Sequence, residues 1–581
     1  MRIVLIIALF PYLVSRRMPT DVTRHIHIPS EVEELYISEL IEQRIRKTLS
    51  LPSYRPPNRK TTRASILSLD KIINAFEGSR HETHTWDNLF RYCDAKTTQI
   101  LESWSLFPIN ELPEEILENI FFHTIYGSDA EGIEDPRTSY REIVRSRITL
   151  GSVCRHWRSL VINTPEIWSK VLVSSPQPHR YLQLCAKRAK AHPLAIFLDY
   201  RKHNWNKSES DFLLGREKMK ELMTLITRNM NQIRELLVYV DTWEEMCSVL
   251  EVLKHSPPPR MLRRIELYRS GKPYVVFTSP SFLRAISSSF PLFRGTYIPS
   301  LTRVLFCGVN INYSSSNLRG LRSISLLNMA VEHMPSLEEF LSILRESPLL
   351  EELYLDGACA RAPEPSQTHQ QPLVVLNHLS ELMIKNLIPQ YARFLLSLFS
   401  APRLKRLSLE NLITQDFSSV IDSLTGKFPE VTVLGINGLQ IGRNLRNPDL
   451  RYKDIFISWL RTLSKVRYLR VSNVPDLFFE AFLLDRSGRI NSHNISETPV
   501  CPKLEALEVL SRSVDKMIVC DFLARRSSIG FPIKDLFLPG EDVADNKAIR
   551  PETFVPAGLV RRLLHVGSGV SPHRRKSYMS D

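Results

Sequence analysis

Histidines, cysteines and paired carboxylates are the side chains that most often carry chemistry, and here none of them forms a catalytic pattern. His81 and His84, in His-Glu-Thr-His, have the spacing of a metal-ligating pair but lack further ligands at suitable spacing. A surface helix or loop is the simpler reading. Cysteines stand at 93, 154, 185, 247, 307, 359, 501 and 520, with no Cys-x-x-Cys among them. That argues against a zinc site or a disulfide framework and fits a reducing compartment. Glu338-Glu339 sits beside a leucine-rich stretch, the usual setting of a solvated helix face. No Gly-x-Ser-x-Gly elbow, Walker loop, His-Glu-x-x-His or Gly-rich dinucleotide turn occurs, and Gly567-Ser-Gly569 lies in a polar tail without strand–helix context. The expectation is a protein that is not an enzyme and holds no cofactor or metal.

With no reactive centre to position, the apolar stripes become the informative feature. Pro113 suits a first helical turn, and Glu114-Glu115 sit at the positive end of the helix dipole. Leu112, Ile116, Leu117, Ile120 and Phe121 recur at helical spacing behind them. A second stripe, Leu150, Val153, Cys154, Trp157, Leu160 and Val161, predicts another helix. Between the two, Tyr126–Arg147 is rich in Gly, Asp, Pro and Ser and reads as a polar insertion. Neither helix is long enough to stand alone, so each stripe needs a covering surface.

At these residues the chain resembles an F-box, of the type found in the large families of F-box proteins in mushroom-forming fungi. Leu112-Pro113-Glu114-Glu115-Ile116-Leu117 resembles the F-box opening, Val153-Cys154-Arg155-His156-Trp157-Arg158 its second half, and Thr164-Pro165-Glu166-Ile167-Trp168 its exit. The resemblance implies docking on a Skp-family adaptor and, through it, on cullin. It makes Leu112, Pro113, Ile116, Leu117, Ile120, Phe121, Val153, Cys154 and Trp157 the expected adaptor-binding residues.

A different period governs the rest of the chain. Leu-x-x-Leu-x-Leu recurs as Leu350–Leu355, Leu379–Ile384, Leu404–Leu409 and Val431–Ile436, at steps of 29, 25 and 27 residues. Later steps, to Val466 and Leu504, widen to 35 and 38. Further copies open at Leu262, Leu301, Leu321 and Ile533. The closing alternation predicts a half-buried strand. Helical stretches at Ser336–Leu344, Tyr391–Phe399, Phe417–Leu424, Ile455–Leu463 and Asp515–Ala524 precede several of these strands. Each helix–strand unit exposes an apolar edge that only its neighbours can cover. The array resembles irregular leucine-rich repeats, whose period it shares. The predicted class is therefore α/β: a helical lead and F-box helices, then an irregular leucine-rich-repeat solenoid with a parallel sheet. Strand positions between the leucines face the other way. Tyr354, Ser408, Arg467 and Arg470 are thus the candidates to face a protein substrate.

These patterns divide the chain into an apolar start and linker (1–30), a helical lead (31–106), the F-box (107–170), the repeat array (171–545) and a basic, disordered tail (546–581). The apolar run at Ile3–Phe10 is too short to span a bilayer. It resembles a signal-peptide core but is followed by Ser15-Arg16-Arg17 rather than a cleavage site, which makes Met18 a natural alternative start. A membrane span is not expected, and the F-box resemblance implies a cytoplasmic or nuclear protein. The formal charge of +14 leaves an acidic partner or nucleic acid open, with nucleic acid the weaker alternative. A repeat-array scaffold outside ubiquitination is the main alternative to substrate selection for a Skp–cullin–F-box ubiquitin ligase.

Overall fold

The computed structural model describes residues 109–126, 136–174, 178–201, 216–270, 289–361, 374–412, 415–441, 450–474, 478–479, 499–510, 516–539 and 562–566. The apolar start, the helical lead, the His81–His84 pair, residues 367–372 and the Gly567–Gly569 stretch lie outside the described residues. The chain divides into two compact units, Met1–Thr124 and Ile125–Asp581.

Helices are α1 (Glu114–Tyr126), α2 (Pro136–Val153), α3 (Arg155–Asn163), α4 (Pro178–Ala189), α5 (Arg216–Arg228), α6 (Trp243–His255), α7 (Leu337–Arg345), α8 (Pro389–Ser397), α9 (Ser418–Leu424), α10 (Leu450–Thr462) and α11 (Lys516–Ser528). Strands are β1 (Lys170–Val173), β2 (Leu194–Asp199), β3 (Ile233–Val240), β4 (Arg264–Arg269), β5 (Arg303–Cys307), β6 (Ser323–Leu327), β7 (Glu352–Asp356), β8 (Val374–Val375), β9 (Glu381–Lys385), β10 (Phe399–Ser400), β11 (Arg406–Leu412), β12 (Val433–Leu439), β13 (Tyr468–Ser472), β14 (Ala506–Val509), β15 (Asp535–Pro539) and β16 (Arg562–Val566). Short β8 and β10 pair with each other; the other 14 strands form one sheet, ordered as they occur in the chain. Every neighbouring pair from β1 to β7 and from β11 to β16 is parallel, as are β7 with β9 and β9 with β11. A parallel sheet wound in strict sequence requires each connection to return over the same face, which makes this an α/β solenoid-like repeat arc.

The register stacks the motif leucines into two continuous columns. One runs through Ile324, Leu353, Leu382, Leu407 and Leu434, the other through Leu326, Leu355, Ile384, Leu409 and Ile436, and every member is buried. Each motif-bearing strand begins two residues after the motif opens: the opening residues Leu262, Leu301, Leu321, Leu350, Leu379, Leu404, Val431, Val466, Leu504 and Ile533 lie ahead of the strands and are buried there. At the other end the chain must turn sharply, and the turning residue adopts positive φ. It is Gly308, Asn328, Gly357, Asn386, Asn411, Gly438 or Asn473 after β5, β6, β7, β9, at the Glu410–Leu412 step of β11, inside β12, and after β13. Glycine and asparagine are the residues that tolerate this left-handed geometry. The turn also extends the ladder, since Gly308, Asn328 and Gly357 donate their N–H groups to the Leu327, Asp356 and Lys385 carbonyls at 3.0, 2.7 and 2.8 Å.

Helix starts follow their sequence signals. Ser336 and Glu339 form a reciprocal capping box on α7. Thr242 caps α6 by accepting from the Glu245 N–H at 3.4 Å.

Several expectations need correcting. The predicted polar insertion Tyr126–Arg147 is helical from Pro136, and the predicted single helix Leu150–Val161 is two helices meeting at Cys154. Helix α8 ends at Ser397, leaving Phe399 to a short strand, and α10 starts at Leu450, five residues earlier than expected. Strand β16 falls inside the stretch assigned to a disordered tail. The sheet also begins before the first motif copy: β2 matches the buried strand that the sequence suggests at Pro193–Leu198, whereas β1 and β3 carry no such signal.

Candidate functional site

In the first unit, Leu112 and Ile116 close the entry turns onto Ile109 and Pro113 through backbone bonds of 3.2 and 3.0 Å. Pro113 is exposed, Leu112, Ile116 and Ile120 are half-buried, and Leu117 and Phe121 are buried.

In the second unit, α2 packs on α3. Cys154 separates them by capping α3, its Sγ accepting from the Trp157 N–H at 3.4 Å. Trp157, Leu160 and Val161 turn inward. Trp168 follows on a short turn and anchors it by donating from Nε1 to the Val161 carbonyl at 2.7 Å. Two guanidinium groups lie over its ring, Arg188 at 4.3 Å and Arg147 at 5.5 Å from the centroid. Arg147 is itself buried, donates to the Lys170 carbonyl, and reaches the Tyr181 hydroxyl at 3.5 Å. Burial holds the Tyr181 phenol well above its ordinary range and also raises the neighbouring Cys185 thiol. Three apolar side chains on these helices remain exposed: Ile148 at 66%, Val153 at 51% and Ile162 at 36%.

The sheet face opposite the leucine columns is not uniform. At its near end, Tyr140 of α2 lies with Leu172, Phe197, Leu237 and Tyr239 in one buried cluster, with Val144 and Tyr268 against it. At its far end Val433, Tyr468, Ala506 and Phe537 form another. Between them the face opens into half-buried polar rows. Tyr354 hydrogen-bonds Glu381, and burial with the neighbouring carboxylates pushes its phenol above the ordinary range. Glu381 accepts from Arg406 at 2.8 Å, and Lys385 lies 3.7 Å from both Asp356 and Glu410.

The segment from Ile109 to the end of β1 is the part that a known family accounts for: residues 109–174 match the family model described as F-box-like. The chain carries an F-box-like domain. No curated protein matches the chain.

The expected adaptor residues of the F-box-like domain separate by burial. Leu112, Pro113, Ile116, Ile120, Val153 and Cys154 keep exposed or half-exposed surface. Leu117, Phe121 and Trp157 are interior, so they can support a docking surface but have no face of their own to offer. Among the substrate-facing candidates, Tyr354, Ser408 and Arg470 share one register row, joined through Met383 and Gly435. Arg467 does not join them. It precedes β13, where its carbonyl accepts from Glu505 and Ala506 and its side chain lies 3.8 Å from Glu505. Sequence reasoning missed Tyr140 and Arg147, although Tyr140, Ile143, Val144, Arg147 and Leu150 fall at helical spacing.

The described cysteines are free thiols, and no group of three or more His, Cys, Asp or Glu among the described residues could hold a metal ion. No described helix is long and apolar enough to cross a membrane.

Proposed function

We propose that this chain is an F-box protein with irregular leucine-rich repeats, of the type found in mushroom-forming fungi. In this reading it selects protein substrates for a Skp–cullin–F-box ubiquitin ligase in the cytoplasm or nucleus. It is not itself an enzyme. The F-box-like domain docks on a Skp-family adaptor, the open sheet face holds the substrate, and the other subunits perform the ubiquitin chemistry. The chain's contribution is proximity and orientation.

The observation that carries this reading is the surface of the F-box-like domain. It leaves Ile148, Val153 and Ile162 exposed while Trp157 of the same domain is buried. Burying such a side chain fully on a partner contributes roughly 1.5–3 kcal/mol.

The test is capture of a Skp-family adaptor by the intact chain. Replacing Leu112 and Pro113 together by Ala is expected to weaken capture roughly tenfold. Val153→Asp, which places a charge on exposed apolar surface, is expected to act in the same direction. Unchanged capture by folded variants would remove the ligase reading and leave a repeat-array scaffold.

A further inference from the structure

The open stretch of the sheet face has a specific charge arrangement, and it points to the class of segment that binds there. Two register rows of it carry the arrangement. The first contains Arg303, Ser323 and Glu352 on β5, β6 and β7; the second contains Leu305, Ser325 and Tyr354. On β4, Arg264 is engaged by Glu266 at 2.5 Å and by Glu235 at 4.0 Å. On the other side, Glu381 is held by Arg406 and Lys385 by its two carboxylates. Between these saturated groups, Arg303 is exposed and Glu352 half-buried, and neither forms an ion pair with the other. The register places them two strands apart, about 9.5 Å.

Between them the side chains shrink. Ser323 and Ser325 lie low, each 7% exposed, with half-exposed Leu305 on one side and Tyr354 on the other. The result is a notch walled by apolar and aromatic carbon, floored by hydroxyls, and flanked by one cation and one anion.

We infer that this notch takes a short extended segment of a protein substrate, carrying an apolar side chain between an acidic and a basic residue. The apolar side chain enters between Leu305 and Tyr354, the acid meets Arg303, and the base meets Glu352. In an extended segment, side chains on one face recur every second residue, so the pattern is acid-x-apolar-x-base. Its ends lie about 13 Å apart, and the long Arg and Glu side chains splay to meet them. The inference rests on the reading that the open face receives the substrate, and it names the class of substrate segment.

Charge-reversal variants of the intact chain, probed with three peptides, test it. The peptides carry a central leucine flanked by Glu and Lys, by two Glu, or by two Lys. The native chain is expected to prefer the mixed peptide, roughly threefold for each matched charge. Arg303→Glu is expected to move the preference to the two-Lys peptide, and Glu352→Lys to the two-Glu peptide. Absence of peptide binding, a preference that neither variant moves, or salt-sensitive capture of a single-stranded RNA oligonucleotide in place of the peptides overturns the inference. Adaptor capture is measured on the same preparations. Retained capture with unmoved peptide preference removes the notch and leaves the docking reading, whereas shifted preference without adaptor capture does the reverse.

Discussion

The two faces of the sheet obey different rules. On the leucine side every rung repeats the same answer: Leu353, Leu382, Leu407 and Leu434 are all 0% exposed, as are the flanking members of their columns to within a few per cent. On the opposite side the answer changes along the sheet. A buried aromatic cluster gives way to ion pairs and serines, and then to a second buried cluster. A repeat can only be a repeat where neighbours must fit one another. Where neighbours need not fit, residue choice is free for recognition.

The largest effects should come from the repeated face. Leu355→Ala and Leu407→Ala each remove a side chain that fills a core shared with two neighbouring strands, and each is expected to cost about 2–5 kcal/mol in denaturant midpoint analysis. A neutral result at either position would break the comparison at its root.

Glu245 tests the helical layer, where a carboxylate is out of place. It lies in the first turn of α6, 2% exposed, with Oε2 accepting from the Thr242 hydroxyl at 3.0 Å and Oε1 unpartnered. Burial pushes its pKa up from 4.5 to about 7; the Thr242 contacts oppose this, and Asp241 and Glu244 reinforce it. The folded state thus favours the neutral acid. That contribution to stability is whole below the unfolded value and is lost as pH rises towards 7, amounting to about 3 kcal/mol. Glu245→Gln should flatten this decline, and stability curves at pH 5 and pH 8 would show it. An unaltered slope would mean that the carboxylate is solvated.

Arg147 probes the attachment of α2 to β1. Arg147→Met keeps the packing against Trp168 but leaves the Lys170 carbonyl without its donor, at an expected cost of about 1–3 kcal/mol. Smallest of all, Ser408→Ala on the open stretch should change stability by less than about 0.5 kcal/mol. If Ser408→Ala proves as damaging as Leu407→Ala, the two faces are not distinct.

How far the sequence revealed this follows from the same contrast. Leu-x-x-Leu-x-Leu is legible because every repeat needs it, and it located the starts of β4 to β7, β9 and β11 to β15 to within two residues, but not β8, β10 or β16. The offset arises because the opening leucine fills the core from the turn before the strand. The Asn and Gly positions at the strand exits are equally periodic but harder to see, because two residue types share one conformational task. Strand β3 carries Leu236-Leu237-Val238 without the alternation, since Tyr140 and its neighbours cover the second face too. Helix α2 escaped notice because Arg147 occupies an inward position where the pattern expects a hydrophobe. Arg467 was misplaced because every non-leucine position of the motif was counted as outward-facing strand, whereas its strand starts one residue later. Burial of Trp157 was also illegible: a stripe states that a residue is covered, not whether its own chain covers it.

Helix α2 belongs to two neighbourhoods at once. One flank packs on α3 within the F-box-like domain, while Tyr140 and Val144 on the same helix lie in the cluster on the first strands. Arg147, between those two attachments, ties it to β1. Within the second unit, α2 thus joins α3 directly to the first strands. If, as proposed, an adaptor is held on Val153 and a substrate beside Tyr354, that joint would set the distance between them, and the lysines within reach would follow from the geometry of α2 rather than from diffusion on a tether.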